Sequence, residues 1–191
     1  MDVVQIAAGG FAWLGASVVV LADGRRGLAL GLALLAAGFA GLALANGFVT
    51  GGVAIGIGGG VAAWQCWKSS AAMWGIMPPG STPRLVLCIG SGLLGLWVAA
   101  AVTGGSGASL RFAVLVVVGI LGARVLSSSE LHVVLAGIAG LALALGVAPA
   151  LDVSSGADVP AIAGGLVAAG VMALPRGGHV HSVADPGKRA S

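Results

Sequence analysis

Long apolar runs separated by short polar breaks make up the hydrophobic pattern of this chain. The breaks lie at residues 23–26, 46–47, 68–84, 104–107, 127–130 and 152–158. No charged residue occurs between Gly27 and Trp67. That stretch is about twice the ~20 residues that a helix needs to cross a bilayer core. The pattern therefore predicts membrane-spanning helices, with a turn inside this stretch at Asn46-Gly47.

Lipid cannot form hydrogen bonds with backbone groups, so a segment that crosses a membrane must be a helix or part of a closed barrel. Because the apolar runs are long and do not alternate as barrel strands do, they predict an all-α polytopic membrane protein with about seven transmembrane helices. Residues 1–175 form the predicted transmembrane domain, residues 69–77 a short helix in the headgroup plane, and residues 176–191 a polar cytoplasmic tail. The predicted spans lie near residues 3–22, 27–46, 49–66, 85–103, 109–126, 131–150 and 159–174.

Basic residues in the short loops predict the orientation, since they concentrate on the cytoplasmic side of a membrane. With the N-terminus outside, one side collects Arg25, Arg26, Lys68, Arg84, Arg124, Arg176, Lys188 and Arg189. Only Arg111 falls on the other side. We therefore expect an N-out, C-in protein of the cell (inner) membrane. The first run is expected to stay as a helix, because Met1-Asp2 lacks the basic residues of a signal peptide.

Composition agrees with a membrane protein and excludes several functional classes. Hydrophobic residues make up 58% of the chain and charged residues 8%, against about 25% charged residues in soluble domains. The net charge of +3 comes from basic residues scattered singly at span ends, so we expect no nucleic-acid partner. Cys66 and Cys88 have no metal-ligand spacing, and we expect both to be small apolar fillers. The sequence predicts no metal and no cofactor.

An eleven-residue stretch occurs twice, as AGFAGLALANG at Ala37–Gly47 and as AGIAGLALALG at Ala136–Gly146, 99 residues later, with nine identities. The same offset relates Arg25 to Arg124. One interpretation is a 3+1+3 parallel repeat, a helix order similar to that of the SWEET sugar transporters, although their Pro-Gln pair is missing here. The other is coincidence in a chain rich in alanine, glycine and leucine.

Small residues recur at helical spacing and predict faces where helices approach closely. The glycines on these faces are Gly38, Gly41, Gly52, Gly56, Gly60, Gly137, Gly140 and Gly165. The faces either pack within the chain or dock a neighbouring subunit. The third helix is the first candidate for docking, because Gly52, Gly56 and Gly60 follow one another at every fourth position.

Polar groups at membrane depth are scarce, and the one ionisable cluster is Arg124, Glu130 and His132 at the junction of the fifth and sixth helices. We expect Glu130 to lie in the first turn of the sixth helix, after a serine N-cap, and to pair with Arg124 at a gain of about 0–1 kcal/mol. We expect Glu130 and His132 to face different directions. Trp13 and Trp97 are expected to fill gaps left by glycines, or to flank a lipid or pigment.

Three functions compete at this point. The favoured one is a non-catalytic membrane subunit that packs into a larger complex, with the lipid bilayer and other membrane subunits or further copies of itself as partners. The alternative is a small carrier or channel for a neutral or apolar solute, built from two three-helix repeats. An intramembrane enzyme acting through Glu130 and His132 is the weakest hypothesis, so we expect no catalytic site.

Overall fold

The computed structural model describes residues 3–68, 82–102, 107–151 and 158–174. Within them the chain forms seven α-helices, a 3-10 turn at Ala148–Leu151 and no strand, which confirms the all-α prediction. The helices are α1 (Val3–Leu21), α2 (Arg25–Ala45), α3 (Val49–Lys68), α4 (Thr82–Val102), α5 (Ala108–Ser127), α6 (Leu131–Val147) and α7 (Asp158–Ala173). The predicted headgroup-plane helix at 69–77 and the polar tail lie outside the described residues.

Five segments are long and apolar enough to cross a membrane: α1, α2, α3, α5, and α6 with its 3-10 turn (Leu131–Ala150). Each has 19 to 21 residues, which at 1.5 Å per residue matches a hydrocarbon core of about 30 Å. The chain is therefore compatible with a multi-pass integral membrane protein. The last helix, α7, has 16 residues and reaches about 24 Å.

Three helix boundaries follow from local chemistry. The α2–α3 turn lies at Asn46-Gly47, as predicted, and Gly47 adopts a φ of 86° that glycine tolerates best. Helix α4 begins at Thr82, before the predicted position, because Pro83 fits the first turn of a helix. Helix α7 begins at Asp158, and the negative charge of its carboxylate is stabilised by the positive end of the helix dipole.

Helix α2 is central and packs against α1, α3 and α6. Helix α1 also packs against α5, and α3 against α7, while α4 packs on α5 and α1. Helices α1 and α5 run in the same direction, because a Cβ on Gly9 would lie 3.4 Å from Ser109 O and Asp23 meets Arg124 at the other end. Helices α3 and α7 are also parallel, since Gly51 N–H donates to Asp158 Oδ1 at 3.0 Å and Gly58 faces Gly165.

Basic side chains gather at one end of the bundle, which we call the basic end and define by Arg25, Arg26, Lys68 and Arg124. Cys66 Sγ lies 3.3 Å from Arg25 O, which joins the end of α3 to the start of α2. Tryptophans shield two of the charges: Arg26 Cζ lies 5.7 Å from the Trp67 ring centroid, and Lys68 Nζ lies 5.3 Å from that of Trp64. Such aromatic neighbours are typical of a membrane–water interface.

The 99-residue offset does not relate equivalent structural positions. Asp23 lies in the α1–α2 turn, whereas the residue 99 positions later, Gly122, lies inside α5. Arg25 is the first residue of α2, but Arg124 belongs to the last turn of α5. The two arginines that the offset pairs therefore lie at different points of their helices, because the α5–α6 turn comes several residues later than the offset requires.

Candidate functional site

The ionisable cluster lies at the basic end, where the α1–α2 and α5–α6 turns meet. The Arg124 side chain is 6% exposed, and its guanidinium forms an ion pair with the carboxylate of Asp23. The prediction that Arg124 pairs with Glu130 is therefore wrong. Packing of α5 along α1 brings Asp23 to the last turn of α5, while the Glu130 side chain points outward and is 71% exposed.

Glu130 and His132 lie together, contrary to the prediction. His132 Nδ1 is 3.7 Å from Glu130 Oε2, and His132 Nε2 is 3.2 Å from Asp23 O. The prediction assumed that both residues were helical, but Glu130 precedes α6 with extended backbone angles of φ −81° and ψ 114°. It is also the N-cap residue itself, and its side chain caps no backbone N–H.

Arg124 is almost fully buried, although not all donors of its guanidinium form hydrogen bonds. Taking a guanidinium out of water is costly unless its donors are satisfied. Within the described residues, Nε of Arg124 is buried and has no hydrogen-bond partner. The Ser127 hydroxyl donates to the Arg124 carbonyl oxygen at 3.2 Å and so leaves the guanidinium unaided. One donor of the guanidinium is therefore unsatisfied within the described part of the chain.

Two cavities adjoin Arg124. The first, of about 380 Å³, is polar and is lined by Asp23, Arg124, Ser127, Ser128, Ser129, Glu130, His132 and Val133. The second, of about 280 Å³, lies between α1, α4 and α5 and is lined mainly by apolar groups: Val20, Leu87, Cys88, Ser91, Gly119, Ile120, Ala123, Arg124 and Ser127. Because Arg124 and Ser127 line both, the two cavities lie next to each other.

Glycines of the repeated stretch face the preceding helix in both copies, with different partners. A Cβ on Gly38 would lie 2.8 Å from Ala12 Cα, so α1 and α2 touch backbone to backbone there. At Gly41 the nearest atom is Ala8 Cβ at 3.2 Å. In α6, Gly137 and Gly140 instead meet flexible side-chain atoms of Val125 and Leu121.

The predicted glycine stripe of α3 turns from the interior to the surface along the helix. A Cβ on Gly52 would lie 2.9 Å from Leu44 Cγ, and one on Gly56 would lie 3.5 Å from Ala40 Cβ. A Cβ on Gly60 would meet no heavy atom within 4 Å. Gly165 of α7 lies against α3, where an added Cβ would be 2.7 Å from Ala54 O.

The two deep tryptophans differ. Trp13 Nε1 donates to Cys88 O at 3.4 Å, and a Cβ on Gly92 would lie 2.7 Å from that nitrogen, so Trp13 occupies space left by a glycine. Trp97 is 71% exposed, so the expectation that it fills a gap is wrong.

The chemistry that this site supports is binding of charge. One guanidinium, two carboxylates and an imidazole surround a polar cavity that adjoins an apolar one. Across the described ranges, no three His, Cys, Asp or Glu side chains come together in a group that could hold a metal ion. No protein-family model, no curated protein and no solved structure matches this chain.

Proposed function

We propose that this chain is a non-catalytic integral membrane subunit that packs into a larger complex of the cell (inner) membrane. In this proposal all seven helices span the bilayer, with the N-terminus outside and the C-terminus in the cytoplasm. The basic end then faces the cytoplasm, in keeping with the preference of basic residues for that side. Its partners are the surrounding lipids and at least one different membrane subunit.

The packing between α1–α3 and α5–α7 carries this proposal. Leu35 of α2 is fully buried, and its Cδ2 would lie 3.3 Å from a Cβ on Gly140 of α6. Leu143 of α6 is also fully buried, and its Cδ1 would lie 3.1 Å from a Cβ on Gly59 of α3. A carrier needs its substrate site between such units, near the bilayer midplane. Close apolar packing there favours a structural role.

The order of helix contacts also counts against the carrier. Helices α1, α2 and α3 lie beside α5, α6 and α7 respectively. When a two-fold axis along the membrane normal relates two units, a helix and its counterpart lie on opposite sides of that axis. They can contact each other only if both lie directly beside the axis. Three such pairs do not fit around one axis, since packed helices lie 8–10 Å apart. The side-by-side order therefore disfavours the predicted parallel repeat around a central pathway.

An outward face of α3 is our candidate for the subunit contact. We call it the α3 outer face and define it by Val53, Ile57, Gly60, Val61 and Trp64. The four larger side chains are 40–64% exposed, and a Cβ added at Gly60 would meet no heavy atom of the other described helices within 4 Å. Glycine costs a helix about 1 kcal/mol relative to alanine and helps where another backbone comes close. Glycines with open surroundings also occur elsewhere, as at Gly10, so we place the partner helix at Gly60 because it continues the series of Gly52 and Gly56 at every fourth position of α3.

Replacing Gly60 by leucine is expected to reduce recovery of the partner about tenfold, because overpacking an interface costs about 1–3 kcal/mol. The measurement is quantitative mass spectrometry of proteins that co-purify with the tagged chain in mild detergent. Gly10→Leu is the matched control, since Gly10 of α1 also has no neighbour within 4 Å. Equal partner recovery with both variants would rule out the α3 outer face as the contact.

A further inference from the structure

The two cavities at Arg124 form one amphipathic site. Its polar part lies at the basic end, between the α1–α2 and α5–α6 turns, and its apolar part extends between α1, α4 and α5. The two parts share Arg124 and Ser127. A molecule that fills both needs a polar head at the membrane surface and an apolar tail inside the bilayer.

The apolar part is accessible from the lipid side. Leu87 of α4, which lines it, is 67% exposed, and Ala123 of α5 is exposed as well. The wall of the apolar part is open at Gly119, because a Cβ at that position would meet no heavy atom of the described residues within 4 Å. An acyl chain of a neighbouring lipid can therefore enter sideways, without passing through the polar part.

The polar part combines a buried guanidinium that has an unsatisfied donor with the exposed carboxylate of Glu130. Nε of the buried Arg124 has no hydrogen-bond partner in the described part of the chain. The lining residues contribute one guanidinium against the carboxylates of Asp23 and Glu130. A phosphate suits the guanidinium of Arg124, and the exposed carboxylate of Glu130 suits an ammonium. A headgroup with both a phosphate and an ammonium complements both signs.

We propose that this site binds one zwitterionic phospholipid from the surrounding bilayer. The phosphate contacts Arg124, the ammonium lies toward Glu130, and one acyl chain occupies the cavity between α1, α4 and α5. This binding goes beyond the subunit role and does not require the partner: the lipid fills the gap beside α4, which packs only on α5 and α1 among the described helix contacts.

Filling the apolar cavity tests the acyl-chain half of the proposal. The full-length protein is stripped of lipid in detergent and titrated with dioleoylphosphatidylethanolamine, and bound lipid is counted by native mass spectrometry. We expect one tightly bound lipid on the wild type and about tenfold weaker binding to Gly119→Leu. Gly122→Leu is the matched control on α5: Gly122 also has no neighbour within 4 Å and does not line the cavity. It should bind like the wild type.

The headgroup half is tested with Glu130→Gln, which removes an exposed carboxylate and leaves the Arg124–Asp23 pair intact. We expect it to weaken phosphatidylethanolamine binding about threefold, as for an exposed ion pair, and to leave dioleoylphosphatidylglycerol binding unchanged. Equal lipid binding by Gly119→Leu and the wild type, or equal losses in Gly119→Leu and Gly122→Leu, would overturn the site. Tighter binding of phosphatidylglycerol than of phosphatidylethanolamine, or retention of a non-lipid molecule by the wild type alone, would overturn the assigned ligand.

Discussion

Replacing Gly38 by alanine is expected to lower the free energy of unfolding by about 1–3 kcal/mol, the usual cost of overpacking. The added Cβ would lie 2.8 Å from both Ala12 Cα and Ala8 O. These are backbone atoms, so relief requires α1 and α2 to move apart along their contact. The change is measurable as a lower midpoint of thermal unfolding in mild detergent, followed by tryptophan fluorescence.

Two matched substitutions make this result specific. Gly10→Ala introduces the same methyl group on α1, where no heavy atom lies within 4 Å, so the better helix propensity of alanine should leave stability equal or raise it by up to about 1 kcal/mol. Gly137→Ala, at the repeated position, meets the side-chain atom Val125 Cγ2 at 2.5 Å instead of backbone and should cost less than Gly38→Ala. Equal effects at Gly38 and Gly10 would contradict the backbone contact between α1 and α2.

Replacing Asp23 by alanine is expected to cost about 2–3 kcal/mol. Removing one partner of a buried ion pair costs about 3–5 kcal/mol, since the other charge stays buried without compensation. We place the effect below that range because the Asp23 side chain is 40% exposed, so water reaches the pair. The same fluorescence-detected unfolding measures it, with Glu130→Ala as the control. Glu130 is 71% exposed, and its removal should change stability by less than about 0.5 kcal/mol.

A second substitution at Arg124 separates the ion pair from a local loss of packing. Exchanging both members of a buried pair for apolar residues is often neutral. The double variant Asp23→Ala/Arg124→Leu should therefore be more stable than Asp23→Ala alone. Additive losses from the two single substitutions would mean that Asp23 does not compensate the buried charge of Arg124.

The all-α architecture was predictable because lipid restricts the backbone to a few solutions. Apolar runs and their polar breaks contain that information, and Asn46-Gly47 marks the α2–α3 turn in both sequence and structure. The partner of Arg124 was not predictable in the same way. Asp23 lies 101 residues away, and nothing in the pattern of either segment indicates that α1 packs beside α5.

Sequence identity also proved a poor guide to equivalent positions in the bundle. Gly38 and Gly137 match in the repeated stretch, but one contacts backbone and the other a valine side chain. Helix register depends on where each turn falls, and the α5–α6 turn is displaced relative to the 99-residue offset. Glu130 illustrates the same limit: it contacts His132 because it precedes α6 with extended backbone angles, whereas the prediction placed it in the first helical turn.

The mass of the particle released by mild detergent tests the subunit proposal most directly. The chain alone weighs 18.3 kDa. Native mass spectrometry should find it in a particle that contains at least one different membrane protein at fixed stoichiometry, and the Gly60→Leu variant should lose that protein. A lone chain of 18.3 kDa, or a particle with a whole-number multiple of that mass, would contradict the proposal.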